Sequence, residues 1–311
     1  MADKSVDTFD VIVIGAGPAG LSAALYLARF DRHTALFDTG QGRSTWHQTI
    51  NNYLGFPGGI ETRKLRELGC KQLEDYPQVR SFDHKIESLK REKDGTFTAQ
   101  GQAGEWHSRA VILCSGVLDH YPHFDGWDEY VGRSMFWCIT CDGYGCRNQR
   151  VVVIGNTNDA ASEALQLQRF DASLTVLTNS ETTEISEKFV KRLANARIPL
   201  IHDKIDEVIG HDGQFEAIIT RDGNLRIELD QLFNQQGATP QTELAEQVGA
   251  KLSDNGYIKI DTEQKTNIPG FYAAGDVTRL HSHQVSTAVH EGGMAASAAN
   301  YYLYPTELKD D

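Results

Sequence analysis

Cysteine is scarce in this chain, with five in 311 residues. The number is odd and too small for a disulfide scaffold, which points to a reducing compartment. Proline is scarce as well, at eight; with 40% apolar and 23% charged residues, a disordered or collagen-like chain is excluded. Positive charge is in deficit: 30 Lys and Arg against 43 Asp and Glu leave a net charge of −13. That balance repels phosphate backbones and anionic lipid, so neither nucleic acid nor membrane is an expected partner. Long apolar runs are missing. The longest, Val11–Ile14 and Val151–Ile154, fall far short of the ~20 residues of a membrane-spanning helix and read as buried strands. No apolar stretch of signal-peptide length precedes the first strand, so a cytoplasmic location is the expectation.

One pattern is used twice. A β-branched run (Val11–Ile14, then Val151–Ile154) leads into a turn of small residues (Gly15–Gly20, then Gly155–Ala160) and an apolar-periodic helix. In the first helix Leu21, Ala24, Leu25 and Ala28 share a face; in the second, Ala164, Leu165 and Leu167 are the apolar positions. Strand, turn and helix in that order open a parallel βαβ unit. The expected class is therefore α/β, with two Rossmann-like three-layer nucleotide-binding domains, the second inserted in the first. A length of 311 residues suits two domains at roughly 150 residues each. The repeat sets the boundaries: 1–117 and 243–311 for the first domain, 118–242 for the second. Alternating segments at 81–113 and 206–230 fill in as strands, and an Ala-rich helix is expected from Val285 to Tyr302.

The first turn, Gly15-Ala16-Gly17-Pro18-Ala19-Gly20, has a physical purpose. Gly15 makes the tight bend, Gly17 lets the backbone approach a pyrophosphate, and Gly20 lets helix and strand pack closely. The helix N-terminus adds free N–H groups and positive dipole for the anion, and Pro18 gives up a donor that would have no intrahelical partner. Asp38 ends the next strand, placed to accept ribose hydroxyls. A bound dinucleotide is expected.

Cys138-Ile-Thr-Cys141 lies just before the second βαβ unit. Thiols at this spacing can close a small redox disulfide. Zinc or an iron–sulfur cluster would need a fourth ligand, and adding Cys146 gives only three thiols; inert buried cysteines are a further reading.

These pieces together resemble the low-molecular-weight thioredoxin reductases over nearly the whole chain. The match runs through Gly15–Gly20, Asn52–Gly58, Cys138–Gly143, Arg147–Gln149, Ala273–Asp276 and Gln284. The resemblance implies one FAD per chain, held by Gly15, Ala16, Gly17, Pro18, Ala19, Asp38, Gln41, Asn52, Lys85, Ile86, Ser115, Gly116, Gly275, Asp276, Gln284 and Val285. It also implies that Cys141 faces the flavin and Cys138 exchanges with the substrate disulfide, with Asp142 as the acid that protonates the leaving thiolate. The expected protein is a homodimer that moves electrons between FAD, the Cys138/Cys141 pair and a thioredoxin-like protein or small dithiol or disulfide. A resident metal is not expected.

The second turn departs from the family. Thr157 stands where a second glycine belongs, and its β-branched side chain would take space that a pyrophosphate needs. The family's arginines for the NADPH 2′-phosphate are replaced by Thr178-Asn-Ser-Glu-Thr-Thr-Glu184, which reverses the sign of the local charge. No carboxylate ends that strand for NADH either. The pattern is similar to pyridine-nucleotide-independent branches of the family, whose donor is ferredoxin or a second flavin, or which act as oxygen-using dithiol oxidases. A non-catalytic flavin-binding redox sensor is the alternative from another class. Further departures are Cys146, a third exchanging thiol or a packed one, and His281, His283 and His290, which could shuttle protons or merely cap and face solvent. The tail Tyr301–Tyr304 reads as helix packing, a dimer contact or a cover for a flavin face.

Overall fold

The computed structural model describes residues 8–309. The chain divides into two compact units. Among the described residues the first comprises 8–45, 62–118 and 239–309; the second, 46–61 and 119–238.

In the first unit, strand β1 (Thr8–Ile14) runs parallel to β2 (Thr34–Phe37) on one side and to Gly104–Leu113 on the other. Val11, Ile12 and Val13 are fully buried because both faces of a central parallel strand are covered, which explains the unbroken apolar run. Helix α1 (Pro18–Arg29), helix α2 (Thr62–Leu73) and the C-terminal helix Val285–Leu303 accompany this sheet. Ala19, Ala23, Ala24 and Leu27 of α1 meet Ala295, Ala296 and Ala299 of the C-terminal helix in one apolar cluster. Small side chains on both partners allow that close approach. A second cluster on Phe9, Ile12, Phe37, Phe97, Trp106 and Phe271 completes the core of the unit. This is the expected three-layer arrangement.

The second unit carries a five-stranded parallel sheet. Before it comes a single helical turn, α3 (Ile139–Asp142); then follow β3 (Arg150–Ile154), α4 (Asn158–Leu167) and β4 (Ser173–Leu177). Strand β3 lies between β4 and Gln231–Asn234. The strands Ile205–His211, Gln214–Thr220 and Arg226–Glu228 form a separate antiparallel sheet.

The contacts differ from the sequence boundaries at residues 46–61, which cluster with the second unit although they lie in sequence within the first domain. Trp46 explains this: its ring packs against Trp137 at 4.9 Å and Tyr121 at 6.3 Å between centroids. These aromatic contacts pair residues 75 and 91 positions apart, which no local pattern reveals.

Candidate functional site

In the first unit the Gly-rich turn has the shape that a pyrophosphate needs. Gly15 bends the chain at a φ of +103°. Gly17 starts α1 with no side chain capping the helix, so the first N–H groups of α1 are left open to an anion. A Cβ built at Gly17 meets nothing within 4 Å. Asp38 closes the turn to the end of β2: Oδ1 accepts the Ala16 N–H at 3.0 Å, while Oδ2 accepts the Gly40 N–H and pairs with Arg66 of α2. The Arg66 Nε is buried and has no hydrogen-bond partner among the described residues. An unanswered cationic donor beside the Asp38 carboxylate fits an anionic dinucleotide.

Asp276 sits in a network that the sequence did not announce. Arg43 donates to Asp276 Oδ2 at 2.8 Å and to His283 Nδ1 at 2.9 Å; the other ring nitrogen of His283 faces the Arg279 carbonyl at 2.7 Å. Nδ1 is therefore the acceptor and Nε2 carries the hydrogen. Glu291, buried in the C-terminal helix, accepts the Gly275 N–H at 2.7 Å and pairs with Arg279, which fixes the turn before Asp276. Ser115 and Gly116 are tied to Gln241: Ser115 Oγ donates to the Gln241 carbonyl at 2.6 Å, and the Gln241 N–H donates to Gly116 O at 3.0 Å. Ile86 is buried in the core, whereas Lys85 and Gln41 are exposed. Gln284 and Val285 open the C-terminal helix. Asn52 lies in the second unit, where its amide donates to Thr140 O at 3.4 Å. His281 and His290 are exposed. In the aromatic tail, Arg32 stands over the Tyr304 ring and Lys309 over Tyr302, and Tyr302 and Leu303 pack on the helix cluster.

In the second unit Cys138 and Cys141 form a disulfide, with Cα atoms 5.3 Å apart. Cys138 caps α3, its sulfur accepting the Cys141 N–H at 3.2 Å. Asp142 follows directly and is buried; Gln48 donates to its Oδ2 at 3.0 Å. Burial pushes this carboxyl up to about 7, against the lowering effect of Gln48. Cys146 is fully buried, its thiol donates to Gln231 Oε1 at 3.0 Å, and desolvation raises it to about 12. It is a packed thiol. Gln48 and Gln231 are further residues of this centre without a sequence motif, and so is Glu163 of α4, a buried carboxyl also raised to about 7 by desolvation.

A carboxyl raised in the folded state binds its proton more tightly there than in the unfolded chain. Its contribution to stability is complete below the unfolded value and is lost as pH rises to about 7. Asp142→Asn is therefore expected to be more stable than the parent at about pH 8, by roughly 1 to 3 kcal/mol, with the gain shrinking toward pH 5. Urea unfolding at the two pH values measures this; an equal effect at both would contradict it.

The second nucleotide turn is closed by the chain itself. Thr157 caps α4, its hydroxyl accepting the Asp159 N–H at 3.3 Å. The segment after β4 is bonded to the same turn: Glu184 N–H donates to Asn156 O at 2.7 Å and Ser186 N–H to Asn158 Oδ1 at 2.8 Å. Asn156 Nδ2 reaches Ser180 Oγ at 3.5 Å. Glu181 points outward and pairs with Lys204 at 2.6 Å, so its charge is locally offset. A phosphate at this helix N-terminus would compete with bonds already made, and no arginine of the segment waits to receive it.

The profile of the pyridine nucleotide-disulphide oxidoreductase family matches residues 9–292. The thioredoxin reductase of Treponema pallidum (strain Nichols) is 30% identical over 302 residues, covering 95% of this chain and 97% of that protein. Among solved structures, the thioredoxin reductase of Streptococcus pyogenes MGAS5005 superimposes with a TM-score of 0.88 at 26% identity, covering 96% of this chain and 99% of that one. An atypical thioredoxin reductase from Desulfovibrio vulgaris Hildenborough is 33% identical, with a TM-score of 0.52 and coverage of 94% and 97%.

Proposed function

This chain belongs to the pyridine nucleotide-disulphide oxidoreductase family, and we propose that within it the protein is a thioredoxin reductase-like enzyme whose electrons come from a donor other than NADPH. It is a flavin-dependent disulfide oxidoreductase. FAD, when bound, supplies the two-electron chemistry. The open α1 N-terminus at Gly17 would hold its pyrophosphate, Asp38 with Arg66 its ribose, and Asp276 with the start of the C-terminal helix the remainder.

Cys138 is the exchanging thiol: as thiolate it attacks the sulfur of a thioredoxin-like or small-molecule disulfide and forms a mixed disulfide. Cys141 then attacks Cys138, restoring the pair and releasing the second substrate thiol. Asp142, held by Gln48 and raised to about 7, gives a proton to the leaving thiolate and can take it back at neutral pH.

The observation that carries the donor reading is the second turn, where the Thr157 hydroxyl already takes the Asp159 N–H, Glu184 and Ser186 bond the following segment to oxygens of the turn, and no arginine of that segment waits for a phosphate. The same bonding weighs against the phosphate of a second flavin there. Anaerobic mixing of the flavin-loaded protein with NADPH tests the reading. The flavin is expected to stay oxidised over many seconds, with one flavin per chain; full bleaching at micromolar NADPH would overturn it. Peroxide release on adding a dithiol, with no carrier present, would identify an oxygen-linked dithiol oxidase instead.

A further inference from the structure

Glu163 is a buried acid with a polar atom to spare. It is 9% exposed, and its Oε1 has no hydrogen-bond partner among the described residues. The backbone N–H of Ile139, the residue bonded to Cys138, lies against its carboxyl and favours the charged form. Helix α4 thereby brings a second carboxyl to the redox turn, on the side opposite in sequence to Asp142. A side chain placed only to anchor one N–H would not need a charge-bearing group, since burying an ionised carboxylate without full hydrogen bonding is costly.

We propose that Glu163 is a second proton-holding group of the redox centre, a positioning residue that acts on Cys138 through the Ile139 amide and sets the charge that the Cys138 thiolate must tolerate. Adding two electrons to the Cys138–Cys141 bond breaks it and leaves two thiolates. One proton goes to Cys141 and makes a thiol. The second goes to Glu163 and makes a neutral acid, so that Cys138 stays a thiolate without a second negative charge beside it. In the exchange, Cys138 bonds to one substrate sulfur as the substrate S–S bond breaks, and Cys141 then displaces the second. The two protons end on the two released thiolates, handed over at the leaving sulfur by Asp142, which is then recharged from Cys141 and Glu163, and the pair is again a disulfide.

The surroundings fit this role. Burial raises Glu163 to about 7, Asp159 one turn earlier on α4 adds to the rise, and only the Ile139 N–H opposes it. From the redox segment, burial raises the Cys146 thiol, and the charges of Asp142 and Glu163 both add to that rise. The other elements packed on α4 carry Arg150, which is paired with Asp230 and Glu228, and Arg169, Glu187, Lys188, Lys191 and Arg192, which are exposed; none of these cations is paired with the carboxyl.

The test is the alkylation rate of Cys138 as a function of pH. Protein reduced with dithiothreitol and freed of it is treated with iodoacetamide from about pH 5 to 9, and the Cys138 peptide is followed by mass spectrometry. Glu163→Gln keeps an acceptor for Ile139 but holds no titrating charge. It is expected to move the midpoint of the Cys138 profile down by about 0.5 to 1 unit and to speed alkylation near pH 7 about 3- to 10-fold. The shift should persist in an Asp142→Asn background, which separates the two acids. A Glu163→Gln profile that superimposes on the parent would overturn the proposal. So would a pattern in which only Glu163→Ala has an effect, and that effect is on thermal stability alone, because that is the behaviour of a structural acceptor. Glu163→Ala also removes the charge and reads the midpoint if the glutamine variant does not accumulate. The measurement needs no physiological donor, so a wrong reading of the donor leaves its outcome intact.

Discussion

Cys141→Ser is expected to lower turnover of any disulfide substrate by about three orders of magnitude or more while leaving a folded, flavin-binding protein. Cys138 can still attack in this variant, but nothing resolves the mixed disulfide, so substrate thiol accumulates on the enzyme in a stoichiometric adduct. Cys138→Ser should abolish turnover equally and form no such adduct, since Cys141 is the resolving member of the pair. Intact-mass measurement after incubation with a disulfide substrate distinguishes the two variants. Adduct on Cys138→Ser and none on Cys141→Ser would invert the assigned roles. Cys146 is the control: it is fully buried and its thiol is raised to about 12, so Cys146→Ala should cost stability of about 1 kcal/mol and little turnover.

The contrast among these cysteines shows what local sequence conveys. The spacing of Cys138 and Cys141 is local, and so is the strand–turn–helix order around Gly15–Gly20; both were legible because a turn and a short helix bring such residues together whatever the rest of the chain does. Whether Cys146 exchanges or packs depends on Gln231, 85 residues away, and was not legible. The same holds for Gln48 on Asp142, Arg66 on Asp38 and Arg43 between Asp276 and His283. Each joins segments far apart in sequence, and none lies in a motif.

Thr157 falls between these cases. Its side chain signalled a damaged phosphate turn, but only the folded chain shows the hydroxyl turned back to cap α4 and the segment 178–186 bonded over the turn. Glu163 lies in no motif. Its burial depends on how α3 docks on α4, which periodicity within α4 cannot specify.

Gly20 and Gly17 of the first turn should fail in opposite ways. At Gly20 an added Cβ would lie 1.7 Å from the carbonyl oxygen of Gly15. That atom is backbone and cannot move aside without displacing α1 from β1, so Gly20→Ala is expected to destabilise the flavin-free protein by about 3 kcal/mol or more. At Gly17 the backbone is extended, with φ −76° and ψ −176°, and a new Cβ meets nothing. Gly17→Val should therefore fold with nearly parental stability, because a β-branched residue accepts that conformation. Its side chain would stand over the open N–H groups of α1, and flavin affinity should fall by about a hundredfold, equivalent to about 3 kcal/mol. Urea unfolding of the flavin-free proteins and flavin fluorescence titration separate the two effects. Equal destabilisation by both substitutions would mean that Gly17 is a packing residue and that the space beside it is not the anion site.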